Sequence, residues 1–230
     1  MSHYCVAVFS NSSNNRSFDE LLAPYSETDE KYFKFVPVEN PTAKYEKYKS
    51  AHPESPIGFD EYFEDYCGCT VENGVYGRRC NPNAKWDWYT LDGKDYMFDP
   101  KEGETTEEYR YRKNQLDFRP EVDVRKQSAF WDHYVNGEPI SEGIDGIPPF
   151  FRKEYYLRRY GTKEQFLKEM SIVYPYAFVT PDGTWHSPGD VGWFGCSDEN
   201  AETMNSYLEE WFKFLEDPSN PYVSLVDCHI

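Results

Sequence analysis

Positive charge is scarce in this sequence. It holds 24 Lys and Arg against 41 Asp and Glu, and its formal net charge is -17 at pH 7. Such a mean field repels free phosphates, so direct non-specific binding to nucleic acid is disfavoured. Long apolar runs are lacking too, and no stretch approaches the length needed to span a bilayer. No membrane partner is expected. The N-terminal Met1-Ser2-His3-Tyr4 has no basic region followed by an apolar run. That predicts a cytoplasmic protein whose six cysteines stay as thiols, because an even count is no sign of disulfides in a reducing compartment. A nucleophilic-serine elbow, a phosphate-binding loop, a dinucleotide fingerprint and a zinc-protease helix are all missing. No cofactor is expected.

Rings are what the chain has in excess. It carries 20 Tyr, 16 Phe and 6 Trp, an aromatic fraction of 18%. The mean hydropathy of -0.84 alone would suit a loose chain, but disordered segments are poor in aromatics. The expectation is a core built from rings more than from Leu and Ile. At 230 residues the chain is within the range of one domain and can bury a substantial core. We expect a single domain over 1–230, with 99–149 as a charged, loop-rich insertion.

The patterning predicts an α+β fold with a small mixed central sheet. Tyr4–Phe9 is almost continuously apolar, which fits a strand covered on both faces. Tyr222–Ile230 is short, apolar and rich in β-branched residues, and the reading places it beside the first strand. Tyr176–Thr180 and Trp185-His186 read as hairpin arms around Pro181-Asp182-Gly183-Thr184. Further strands are expected at Tyr32–Val38 and Trp86–Thr90, the latter returning near Asp95–Phe98. Met204, Tyr207, Leu208, Trp211, Phe212 and Leu215 form a helical stripe, and Thr162 is a plausible N-cap for Lys163–Met170. Other helices are expected at Gly58–Tyr66, Thr106–Leu116, Val122–Tyr134 and Phe150–Tyr160. Acids near Asp217 sit against the dipole of the helix that carries the stripe. The order of strands is compatible with a ferredoxin-like core bearing a large insertion.

Two groups of residues carry candidate chemistry. In a strand, alternate residues share a face, so Asp227 and His229 point one way and Cys228 the other. His3 or His186 across the sheet would complete an acid–base face, the basis of a hydrolase reading. Cys228 would need a distant base such as His186 or His3, and otherwise packs as a small hydrophobe. The second group is Arg78, Arg79, Asn81, Asn83, Lys85, Trp86 and Trp88, with Arg152, Arg158 and Arg159 on a later helix. Donors, cations and stacking surfaces in this combination suit a small nucleotide. The bland alternative is that Trp86 and Trp88 share a strand face in the core while Arg79 pairs with surplus carboxylates. Cys67, Cys69 and Cys80 offer three soft ligands, but the second cysteine pair of a zinc site is missing and no metal is expected.

Three stretches together resemble an uncharacterised family of bacterial, phage and mobile-element proteins. They are Met1-Ser2-His3-Tyr4 with Leu22-Ala23-Pro24-Tyr25, then Asn81-Pro82-Asn83-Ala84-Lys85-Trp86-Asp87-Trp88-Tyr89, and finally Thr180–His186 through Gly192-Trp193-Phe194-Gly195 to Val226-Asp227-Cys228-His229-Ile230. Asp92-Gly93-Lys94-Asp95 replaces the Gly-Gly-Arg-Trp pattern expected after Tyr89. The resemblance implies a phage or mobile-element origin in a bacterial host cell, which favours a host-interaction or anti-defence role, and the net charge of -17 suits an acidic face that docks on a basic partner. The expectation is a non-enzymatic acidic binding protein, a phage-encoded inhibitor of a host defence protein. A small-nucleotide binder or sponge and a hydrolase of the terminal strands are the alternatives.

Overall fold

The N-terminal apolar run becomes β1 (His3–Ser10), buried at every position from Tyr4 to Ser10. A strand buries consecutive residues in this way when both of its faces are covered. The computed structural model describes residues 3–91, 110–116, 124–139, 151–171, 173–191 and 196–230. The chain divides into two units, Met1–Leu22 with Trp88–Ile230, and Ala23–Asp87. After β1 comes α1 (Asn15–Leu22), followed by the second unit: β2 (Lys34–Pro37), α2 (Pro41–Ala51), α3 (Phe59–Glu61), β3 (Thr70–Glu72) and β4 (Val75–Cys80). The first unit resumes with β5 (Trp88–Thr90), β6 (Arg110–Arg112), α4 (Val124–Tyr134), α5 (Lys153–Tyr160) and α6 (Lys163–Met170). It ends with β7 (Ala177–Val179), β8 (Trp185–His186), α7 (Ala201–Glu216) and β9 (Tyr222–His229).

The fold is mixed α+β. The sheet of the first unit runs β5-β9-β1-β7-β8, with β6 also paired to β9. β9 is antiparallel to β1, from His3 opposite His229 to Ser10 opposite Tyr222. The terminal strands are therefore neighbours, as the sequence predicts. The ferredoxin-like order is not the one seen. It would set the second hairpin arm antiparallel beside β1, whereas here the first arm, β7, lies there in parallel, with Val6 opposite Ala177. The long segment between β1 and β7 allows such a crossover.

Residues directly opposite in a ladder share a face. His3, Cys5, Ala7 and Phe9 thus face the same way as Val223, Leu225, Asp227 and His229. α7 covers the middle of that face, burying Met204, Tyr207, Leu208 and Trp211 with Cys5, Ala7, Phe9, Phe178 and Leu225. The Asn200 side chain starts α7 by accepting from the N–H groups of Glu202 and Thr203. On the opposite face Tyr89 donates to Asp19 of α1. α4, α5 and α6 pack around Trp131, Val135, Tyr156 and Phe166. Thr162 caps α6 as expected, accepting from the Gln165 N–H at 3.2 Å.

The helix expected at Thr106–Leu116 is absent over its described part. Arg110–Arg112 pairs with β9 instead, and a 3-10 turn follows at Lys113–Gln115. Tyr111 and Leu116 are buried, and Lys113 Nζ donates to the carbonyls of Phe214 at 2.9 Å and Asp217 at 2.7 Å. This burial and capping override local helix propensity. They also bring a cation to the acidic C-terminal end of α7. Within 99–149, the described residues 110–116 and 124–139 belong to the first unit. The expected return near Asp95–Phe98, the Asp92-Gly93-Lys94-Asp95 stretch and Gly192–Gly195 lie outside the described residues.

The second unit holds an antiparallel sheet of order β2-β4-β3. The helix expected at Gly58–Tyr66 is α3 continued by a π-helical turn over Tyr62–Tyr66. At Gly77 a Cβ would lie 2.4 Å from the Phe35 ring and 2.6 Å from the Val36 carbonyl oxygen. Gly77→Ala is therefore expected to destabilise this unit by about 1–3 kcal/mol. A lowered urea midpoint checks this, and an unchanged one contradicts it.

Candidate functional site

The last three residues of β9 place their side chains by simple alternation. Asp227 and His229 lie on the face that α7 covers further along, and Cys228 lies on the other. β1 sets Cys5 opposite Asp227 and His3 opposite His229. β5 adds Trp88 opposite His229 from the other side. One end of the sheet face thus gathers two imidazoles, a carboxylate and an indole.

Their geometry is close. His3 Nδ1 is 2.9 Å from Asp227 Oδ2. The His3 and His229 rings lie 5.1 Å apart between centroids, at 71°. Trp88 stacks on His229 at 4.8 Å and 16°, and meets His3 edge-on at 5.3 Å. His3 and Trp88 are open to solvent, while His229 is buried. Asp227 Oδ1 is buried and has no hydrogen-bond partner among the described residues.

The cysteines nearby, Cys5 and Cys228, are both buried. Burial, reinforced by the Asp227 charge, pushes the Cys5 thiol up to about 12. Burial also holds Cys228 well above the ordinary thiol range, and its side chain is on the wrong face for His229. Thiols in this state carry little of the reactive thiolate at neutral pH. Cys228 is accordingly a small packed hydrophobe. His186 belongs elsewhere. It stacks on Phe178 at 4.4 Å, and its Nδ1 is 2.8 Å from Glu210 Oε2.

The arginine and tryptophan candidates take varied places. In the second unit Arg78 donates to the Cys67 carbonyl, and Arg79 pairs with Glu72 at 2.8 Å. Asn81 is buried, donating to the carbonyls of Pro24 and Ser26, both at 2.8 Å, while its Oδ1 accepts from the Asn83 N–H. The Lys85 N–H donates to the Tyr25 carbonyl, and Trp86 is buried outside any strand. Strand β5 therefore begins later than expected, at Trp88. In the first unit Arg152 is exposed at the start of α5, and Arg158 reaches the Tyr155 ring. Arg159 is buried against Glu169 at 2.9 Å, with Glu199 at 3.5 Å. Asn81 and Arg159 thus spend donors inside the protein. Cys67, Cys69 and Cys80 are free thiols lining a cavity of about 300 Å³ with Arg78.

Alternation along the strand points to His3, Asp227 and His229, but Cys5 and the contact between Trp88 and His229 emerge only from the strand register. The alternation that places Asp227 also places its cross-strand neighbour, once the register is known. Among the described residues no group of three or more His, Cys, Asp or Glu is arranged to hold a metal ion. Among them, too, no helix is long and apolar enough to cross a membrane. Comparison with family models, curated proteins and solved structures yields no match.

Proposed function

We propose that the end of the sheet bearing His3, Asp227, His229 and Trp88 is an acid–base site that hydrolyses an ester-type bond. The observation that carries this reading is the His3–Asp227 pair at 2.9 Å, set beside a second imidazole. Asp227 orients the His3 ring through Nδ1. Nε2 of His3 then takes a proton from a water molecule as that water's oxygen attacks the electrophilic centre. His3 then returns that proton to the leaving oxygen, while the buried His229 ring packs beside it. Trp88 supplies a flat wall against which a ring-bearing substrate rests.

The test uses two chromogenic probes, p-nitrophenyl acetate and bis(p-nitrophenyl) phosphate. Turnover of one class is expected, reduced about 100-fold or more in His3→Ala and in Asp227→Asn. Cys228→Ala should retain it. Unaltered turnover in His3→Ala, or no turnover of either probe, would overturn the assignment.

A second reading is favoured by the outer side of α7. Glu202, Glu209, Glu210, Glu216 and Asp217 are exposed there, opposite the buried stripe. An acidic helix face of this kind suits a binding protein that docks on a basic surface, such as a host defence protein. Salt-sensitive association weakened by charge reversal at Glu209 would favour it.

A further inference from the structure

At the far end of β1 the same sheet face opens onto a second feature. By the rise of a strand, Phe9 lies roughly 20 Å from His3. There the carboxyl ends of the parallel strands β1 and β7 border a cavity of about 790 Å³. That volume is in the range of small-molecule sites, and crevices outside the carboxyl ends of parallel strands are favoured places for ligands.

The cavity wall is aromatic in its depth. Phe178 is buried, with the His186 ring stacked on it at 4.4 Å and 7°. Phe214 of α7 lies 5.6 Å from Phe178 at 27°. The stacked rings of His186, Phe178 and Phe214 line the cavity with flat apolar area, and Lys113 Nζ lies over the Phe214 ring at 5.0 Å.

The rim is anionic. Glu210 stands 2.8 Å from His186 Nδ1. Asp182 is held below the usual carboxylate range by the Thr180 hydroxyl and the Thr184 N–H. Asp217 is lowered likewise by Ser219. The C-terminal end of α7 adds its partial negative charge. Lys213 is the basic residue on the wall, set against three carboxylates. Lys113, nearby, already donates to the carbonyls of Phe214 and Asp217.

We propose that this cavity binds a small organic cation, an ammonium or amidinium group on a flat apolar body. The rings take the body, and Glu210 with Asp182 takes the charge. The site is separate from the His3 cluster and does not depend on hydrolysis there.

The experiment is a titration of the full chain, followed by amide NMR shifts, with phenethylammonium chloride and its neutral counterpart 2-phenylethanol. Saturable shifts at the cavity residues are expected for the cation, with the alcohol about tenfold weaker. Glu210→Gln and Asp182→Asn should each weaken the cation several-fold, and His3→Ala should leave its affinity unchanged. Equal affinity for the two compounds would overturn the proposal. So would no saturable binding of the cation below about 10 mM, or undiminished binding in a folded Glu210→Gln/Asp182→Asn double variant.

Discussion

Arg159→Met is expected to cost about 3–5 kcal/mol of unfolding free energy, the scale seen when one partner of a buried ion pair is removed. Only 7% of the Arg159 side chain is exposed, and none of Glu169. The guanidinium donates to Glu169 at 2.9 Å and lies 3.5 Å from Glu199. Taking it away leaves two carboxylates without their shared cation, and the Glu169 side chain is fully buried. Gln165 and Tyr174 also reach Glu169, but neither brings a charge. The companion Arg159→Met/Glu169→Met variant is the informative control. That variant removes the fully buried carboxylate and leaves only Glu199, which is 16% exposed, without its cation, so stability should recover most of the loss. Urea denaturation reads both. If the double variant is as unstable as the single, packing and not charge explains the cost.

Trp211→Ala should be of similar size, about 3–5 kcal/mol. Trp211 is fully buried under the central strands. Its ring lies 5.1 Å from Phe178 and 6.1 Å from Phe9, so its removal opens a cavity between α7 and the sheet. Trp211→Phe keeps most of the ring and should cost distinctly less. A thermal melt that ranks the two variants alike would contradict this account of the core.

Much of the first unit is legible in the sequence because its signals are local or periodic. The unbroken apolar run of β1, the Pro181-Asp182-Gly183 turn and the stripe of α7 each name their own structure. The site at Asp227 and His229 is half legible for the same reason, since period-2 alternation fixes the face but not the neighbour. What sequence reading misses depends on distant partners. Arg159 lies on a basic helix and reads as a ligand contact, while Glu169, its partner, lies on the next helix and gives no local sign. Arg110–Arg112 reads as helical because three residues are too few to show alternation. Only Tyr111, opposite Val223, reveals why the segment is a strand. Trp88 reads like Trp86, yet it meets His229 because β5 joins the outer edge of β9.

The pairing of residues 3–10 with 222–229 has a consequence for how the molecule is made. On the ribosome, the hydrophobic β1 emerges more than two hundred residues before the strand that shields its flank. Contacts of such sequence separation slow folding and prolong exposure of sticky intermediates. A chain that stops before Tyr222 leaves that flank of β1 unpaired and is expected to be less soluble.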